Sequence, residues 1–287
     1  MRRRVPAALL LLSLACWREP AGPPLKDDLG RAVALHGSVH RVVTLAPNLT
    51  EIVFAIGSGA KLVGTDDFSD APAAARKLTK VGGLQPDVER IASLKPDLVI
   101  ATTTANHPAL ATALGNIGVP LFVVRTDRLS EIPTAMNRLG QILDAPAAAG
   151  AASSIRAAIT RQRRRRPRLP RVLFAVWTNP LYVAGHDTFA DDLFVLSGAV
   201  NAVPPSVHGW PQYSLESLVA APPDIMLYPK TSVTRAQINE LLRSAPTLRK
   251  KTRFVPVDEN TFTRPGPRVV EAAAGLNEIL DAWEHKH

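Results

Sequence analysis

The sequence predicts an α/β protein made of two similar lobes with central parallel sheets, joined by one long α-helix. Three observations carry this. An alanine-rich stretch, DAPAAAGAASSIRAAITRQRRRR, runs from Asp144 to Arg166 near the middle of the chain. On either side of it lie DVERIASLKPDLVI, from Asp87, and SLESLVAAPPDIML, from Ser214. Shifted by 127, these segments pair Glu89 with Glu216, Pro96 with Pro223 and Asp97 with Asp224. Continuous apolar runs that alternate with helical patterns indicate parallel sheet, whose strands are covered on both faces.

The central stretch reads as helix because alanine is the strongest helix former. Asp144 and Pro146 suit a helix start, and Pro167 and Pro170 stop it for want of an amide proton. Ala148, Ala152, Ile155 and Ile159 share one apolar face. Arg161 and Arg163 to Arg166 fall at the carboxyl end, where the helix dipole favours cations. At 1.5 Å per residue such a helix spans roughly 33 Å, the width of a small domain.

The remaining elements follow in order. MRRRVPAALLLLSLAC has a basic start and an apolar run too short to span a bilayer, so residues 1–15 are expected to be an export signal. Residues 16–39 read as a tether and approach, with the tether proper rich in Pro and Gly from Trp17 to Lys26. The N-terminal lobe, 40–143, begins with the strand at Arg41–Leu45 and a helix capped by Asn48 or Thr50. A strand at Leu62–Gly64 follows, then a helix over Val88–Leu94, a strand over Leu98–Ala101, a helix over Ala109–Ile117, a strand over Pro120–Val124 and a helix over Ile132–Leu143. The connecting helix takes 144–168 and the C-terminal lobe 169–287. In that lobe Val172–Val176 is a strand, Asp187 or Thr188 starts a helix through Leu196, and the last helix runs from Val269 to about Trp283.

Ligands of open α/β sheets bind beyond the carboxyl ends of the strands. The loops expected there carry Phe68, Trp177, Trp210, Tyr213, Phe262, Arg264 and Arg268, a mostly apolar set with a few polar groups, as small-ligand pockets have. Enzymatic chemistry finds no support. G-x-S-x-G, H-E-x-x-H and a phosphate-cradling glycine loop are all missing, and His36 and His40 do not sit on a helix. The net charge of +9 includes three arginines of the expected signal; five more arginines lie in the RQRRRR run, which lacks interleaved aromatics and reads as a solvated helix end rather than a nucleic-acid site.

RVVTLAPNLTEIVFAIG, VERIASLKPDLVI, HGWPQYSLESL and RPGPR together resemble the helical-backbone substrate-binding proteins of ABC importers, over Arg41 to Trp283. The similarity is greatest to the cobalamin-binding members of that family. It implies two lobes, a rigid connecting helix, no catalytic cofactor, and cobalamin or a related corrinoid held between the lobes as transported ligand. Carried over by position, Phe68, Trp177, Asn179, Trp210, Phe262 and Arg268 would contact the ligand. Glu89 and Glu216 would dock on arginines of the transmembrane permease subunits, although an acid near a helix start also complements the dipole unaided. Where cobalamin binders carry a tryptophan after the third strand, this chain has Thr102-Thr103-Thr104. Haem, which needs an axial ligand such as His208 or Tyr213, and a ferric siderophore, which needs arginines such as Arg264 and Arg268, remain alternatives. Cys16 after Leu14-Ala15 resembles a lipobox, so a periplasmic monomer anchored only through lipidated Cys16 is expected, with an ordinary signal cleaved nearby as the alternative.

Overall fold

The structure is a computed structural model that describes residues 25–103 and 108–285. The expected signal, Cys16 and the tether as far as residue 24 lie outside the described residues, as does Thr104. A short antiparallel hairpin, β1 (Leu25–Lys26) and β2 (Ala32–Val33), precedes the first lobe. That lobe runs β3 (Val42–Thr44), α1 (Pro47–Ala55), β4 (Leu62–Thr65), β5 (Thr79–Lys80), α2 (Val88–Ser93), β6 (Leu98–Thr102), α3 (Pro108–Asn116) and β7 (Leu121–Val124). Its strands pair in parallel in the order β5-β4-β3-β6-β7. Two helices, α4 (Glu131–Ile142) and α5 (Ala148–Arg161), lead out of it. The second lobe runs β8 (Arg171–Thr178), β9 (Leu181–Val183), α6 (Phe189–Leu196), β10 (Val200–Asn201), α7 (Leu215–Ala220), β11 (Ile225–Pro229), α8 (Arg235–Ser244) and α9 (Leu248–Lys251). It closes with β12 (Arg253–Val257), α10 (Glu259–Phe262) and α11 (Val269–Glu284). Its parallel order is β10-β8-β11-β12, with β9 antiparallel on β8.

The repeat has a physical basis at its Pro-Asp turns. Asp97 Oδ2 accepts the backbone N–H of Arg41 at 2.8 Å, and Asp97 N donates to Arg41 O at 2.8 Å. Asp224 does the same to Arg171, at 2.8 Å through Oδ2 and 2.9 Å through its own N–H. Each aspartate therefore fixes the start of the strand beside its own, β3 beside β6 and β8 beside β11. Proline before it, unable to donate, marks where the preceding helix has ended.

The connecting helix is shorter than expected. Asp144 does not start it: with φ at +49° it ends the turn after α4, and α5 spans only Ala148 to Arg161. The run from Gln162 to Pro170 is not helical. Adjacent arginines repel one another in a helical turn, and Arg166 leaves the axis to reach carboxylates on α11. α5 packs against α4 so closely that a Cβ on Gly140 would stand 2.1 Å from the Cβ of Ala148, so glycine is required at this crossing. The α1 helix also starts earlier than expected, at Pro47, with Ala46 before it.

One core runs through both lobes. It joins Val42, Leu98 and Phe122 of the first sheet to Phe174, Ile225 and Leu276 of the second lobe by way of Ile132, Met136 and Ala152. Along β8 the side chains alternate. Val172 and Phe174 enter this shared core, whereas Leu173 and Ala175 pack in a separate cluster on the other face.

Candidate functional site

The carboxyl ends of β3, β4, β6 and β7 open into a cavity of about 660 Å³. Pro47, Asn48, Asp66, Phe68, Thr102 and Thr126 line it from the first lobe. The second lobe closes its far side with Glu259, Thr263, Arg264 and Pro265, from α10 and the turn after it. The site thus lies between the lobes, where the two halves of the fold bring their loops together.

Phe68 is the exposed aromatic of this cavity, 56% accessible, and its backbone is held from both sides. Its N–H donates to Asp66 Oδ2 at 3.0 Å, and its carbonyl accepts Arg264 Nη2 at 3.2 Å. Asp66 is itself buried in a chain of hydroxyls formed by Thr44, Thr50, Thr65 and Ser69. Burial raises its carboxyl above the usual range, against the hydrogen bond from Ser69. Arg264 also meets Asp70 Oδ1 at 2.5 Å. Asp70 is lowered overall, because this hydrogen bond and charge outweigh its partial burial.

Besides the Arg264–Asp70 pair, two further sets of ionic bridges cross between the lobes. Glu51, on α1 and only 6% exposed, accepts both arms of Arg268, at 2.5 and 3.0 Å, with Arg264 Nη1 at 3.6 Å. Elsewhere Arg128 of the first lobe forks onto Asp192, at 2.5 and 2.9 Å, and reaches Asp187 at 2.6 Å. Asp187 holds His208 Nδ1 at 2.7 Å through its other oxygen. The hydrogen bond from His208, with the Arg128 charge, lowers the Asp187 carboxyl. Asn48 Nδ2 adds a neutral crossing to Pro265 O at 3.2 Å.

Of the residues expected to touch ligand, the cavity lining includes Phe68, together with Arg264. It does not include Trp177, Asn179, Trp210, Phe262 or Arg268. Phe262 is 5% exposed and packs edge-on against Phe174, because α10 turns its ring inward. Trp210 is half-buried, in ring contact with Phe174 and Phe189. Arg268 gives its guanidinium to Glu51. Trp177 is 40% exposed, with its ring N–H on Asn179 O at 2.9 Å. Asn179 lines a separate hollow of about 420 Å³ with Tyr213 and Glu216. His208 lies against Asp187. Glu89 and Glu216 are both exposed and occupy the second position of α2 and α7, after the side-chain caps Asp87 and Ser214. Sequence reasoning missed Asp66, Glu51 and Arg128. The acidic TDDFSDAP loop carried a signal for Asp66, whereas Glu51 sits in an apolar helix with its partner 217 residues away.

A two-lobed α/β fold with an open cavity at the strand ends is the arrangement of a protein that holds a solute between its lobes. The chain belongs to the periplasmic binding protein family, whose sequence model matches residues 42–253. It is 32% identical to the vitamin B12-binding protein of Yersinia pestis (strain Pestoides F) over 246 residues, covering 83% of this chain and 85% of that one. In fold it is similar to the periplasmic heme-binding protein RhuT from Roseiflexus sp. RS-1 in apo form, with a TM-score of 0.76 and 27% identity over 86% of this chain and 100% of that one. It is also similar to the periplasmic vitamin B12-binding protein BtuF of Vibrio cholerae, with a TM-score of 0.71 and 23% identity over 86% and 98%. Among the described residues no helix is long and apolar enough to cross a membrane.

Proposed function

We propose that this protein captures cobalamin or a related corrinoid between its lobes and hands it to an ABC importer. The observation that carries this reading is the likeness over most of the chain to a vitamin B12-binding protein, joined to an interlobe cavity that presents Phe68. A large, partly apolar ring system suits an exposed aromatic on a wall with few charges. Lobes are taken as 40–143 and 169–287, with 144–168 between them. Glu89 and Glu216, one on each lobe at equivalent helix starts, are the docking acids, and arginine forks on the permease would hold them bidentately. Export by the signal, lipid attachment at Cys16, a periplasmic site of action and a monomeric state complete the proposal.

Haem is the second reading, and the likeness in fold to a heme-binding protein at 27% identity favours it. The two readings separate in one experiment. Purified protein is titrated with cobalamin, cobinamide, haem and a ferric hydroxamate, followed by absorbance and heat. Saturation by cobalamin at one site per chain supports the first reading. Saturation by haem alone, with axial-ligand bands that His208→Ala removes, replaces it with the second.

A further inference from the structure

A second groove lies away from the cleft and shares no lining residue with it. It measures about 600 Å³ and runs between α4, α5 and α6. Its apolar surface comes from Leu129, Pro133, Ile159 and Leu196, with Val195, 60% exposed, at its edge. Arg156, Ile159, Thr160 and Arg163 follow one another at helical spacing along α5 and just past its end, so two arginines frame the apolar strip.

Asp192, the carboxylate in the groove lining, is forked by Arg128, also in the lining, so the charge left unpaired there is positive. No Asp or Glu occurs between Asp144 and Asp187, a stretch with eight arginines. Arg166 is consumed by Asp281 and Glu284, and Arg168 lies over the ring of Trp283. Arg156, Arg161, Arg163 and Arg165 are exposed and have no carboxylate partner among the described residues. A solvated helix end explains exposed arginines. It does not explain why an exposed valine and an apolar groove lie between them.

The amino-terminal chain is tied to α4. Asp28, just after β1, pairs with Arg138 of α4, and Arg138 also takes the carbonyl of Lys26. α4 is one wall of the groove. Eight residues lie between Cys16 and Leu25, so a chain end held in a bilayer at Cys16 would lie within about 30 Å of Leu25, at the start of β1.

We infer that this basic, apolar-floored groove docks the protein on the surface of an anionic phospholipid bilayer, with Arg156 and Arg163 on headgroup phosphates and Val195 against the acyl boundary. Cation and apolar edge then act together, as they do in interfacial segments. The site is independent of what the cleft holds.

The test is vesicle co-sedimentation of the full chain. Vesicles of equal parts phosphatidylglycerol and phosphatidylcholine are compared with phosphatidylcholine alone, at low and physiological salt. Whatever the amino terminus contributes is the same in every variant, so the variants report the groove. Arginine near an anionic surface contributes about fivefold in affinity, so Arg156→Gln with Arg163→Gln should cut the preference for anionic vesicles by about 25-fold at low salt. The double lysine variant should keep most of it, and Val195→Asp should lower it further. Thermal melting checks that each variant is folded. An unchanged preference in the glutamine variant overturns the proposal. So does a preference carried instead by double-stranded DNA of matched charge, which would make the groove a nucleic-acid surface.

Discussion

Replacing Arg268 by alanine separates two roles for this residue. The resemblance implies that Arg268 meets ligand, whereas the structure gives its guanidinium to Glu51 on the opposite lobe. Glu51 is 6% exposed and accepts Arg268 at 2.5 and 3.0 Å, so the truncation leaves a nearly buried carboxylate. Breaking a fully buried pair costs about 3–5 kcal/mol. Arg268 is 26% exposed, and Arg264 remains 3.6 Å from Glu51, so the cost here should fall to about 2–3 kcal/mol. For a chain of this size that corresponds to roughly 4–12 °C in Tm. Glu51→Gln should be milder, because a neutral amide needs no counter-charge. The double variant should be less destabilised than the sum of the singles, the mark of a shared interaction. The assays are calorimetric melting and a cobalamin titration on the same samples. An Arg268→Ala protein that melts with wild type but binds ligand at least tenfold more weakly would refute the reasoning and return Arg268 to the ligand.

Three further outcomes follow from the geometry. Gly140→Ala should destabilise the protein although alanine is the better helix former by about 1 kcal/mol, because the added methyl meets Ala148 and overpacking costs about 1–3 kcal/mol; urea midpoints check the sign. Asp70 has a lowered pKa when folded, so its contribution is present above the unfolded value of about 3.9 and is lost as pH falls through the lowered folded value. The Tm gap between wild type and Asp70→Asn should be open at neutral pH and close below about pH 4, and a gap that persists in acid contradicts this. Changing Glu89 and Glu216 together to lysine should leave cobalamin binding intact and abolish uptake with a reconstituted importer, since like charges at an interface cost several kcal/mol; normal uptake would leave both acids as dipole partners of α2 and α7.

The architecture was legible because it rests on local signals. Apolar triplets, proline stops and the repeated Pro-Asp turn fix strands and helix ends within a few residues. Even so, α8 was overlooked despite its capping box, in which Thr234 and Gln237 satisfy each other's backbone. The connecting stretch misled for a definite reason. Alanine content signals helix, but Asp144 in a left-handed conformation and the pull of Asp281 and Glu284 on Arg166 decide where it begins and ends, and the second is a tertiary effect. The cleft was legible in location and only partly in membership. Phe68 and Arg264 fall on it because strand-end loops must. Phe262 and Arg268 turn inward toward Phe174 and Glu51, partners far away in sequence.

The core that passes without a break from β3 through α4 and α5 to β8 and α11 has a consequence for how the chain can be divided. Each half presents a large apolar face only the other half covers, so neither is a self-sufficient folding unit, despite carrying a complete parallel sheet. A nick in the non-helical run between Gln162 and Pro170 should leave two fragments that stay associated, melt together in one cooperative transition and aggregate when separated. Internal repetition built the sheets, but the molecule is held together at the seam.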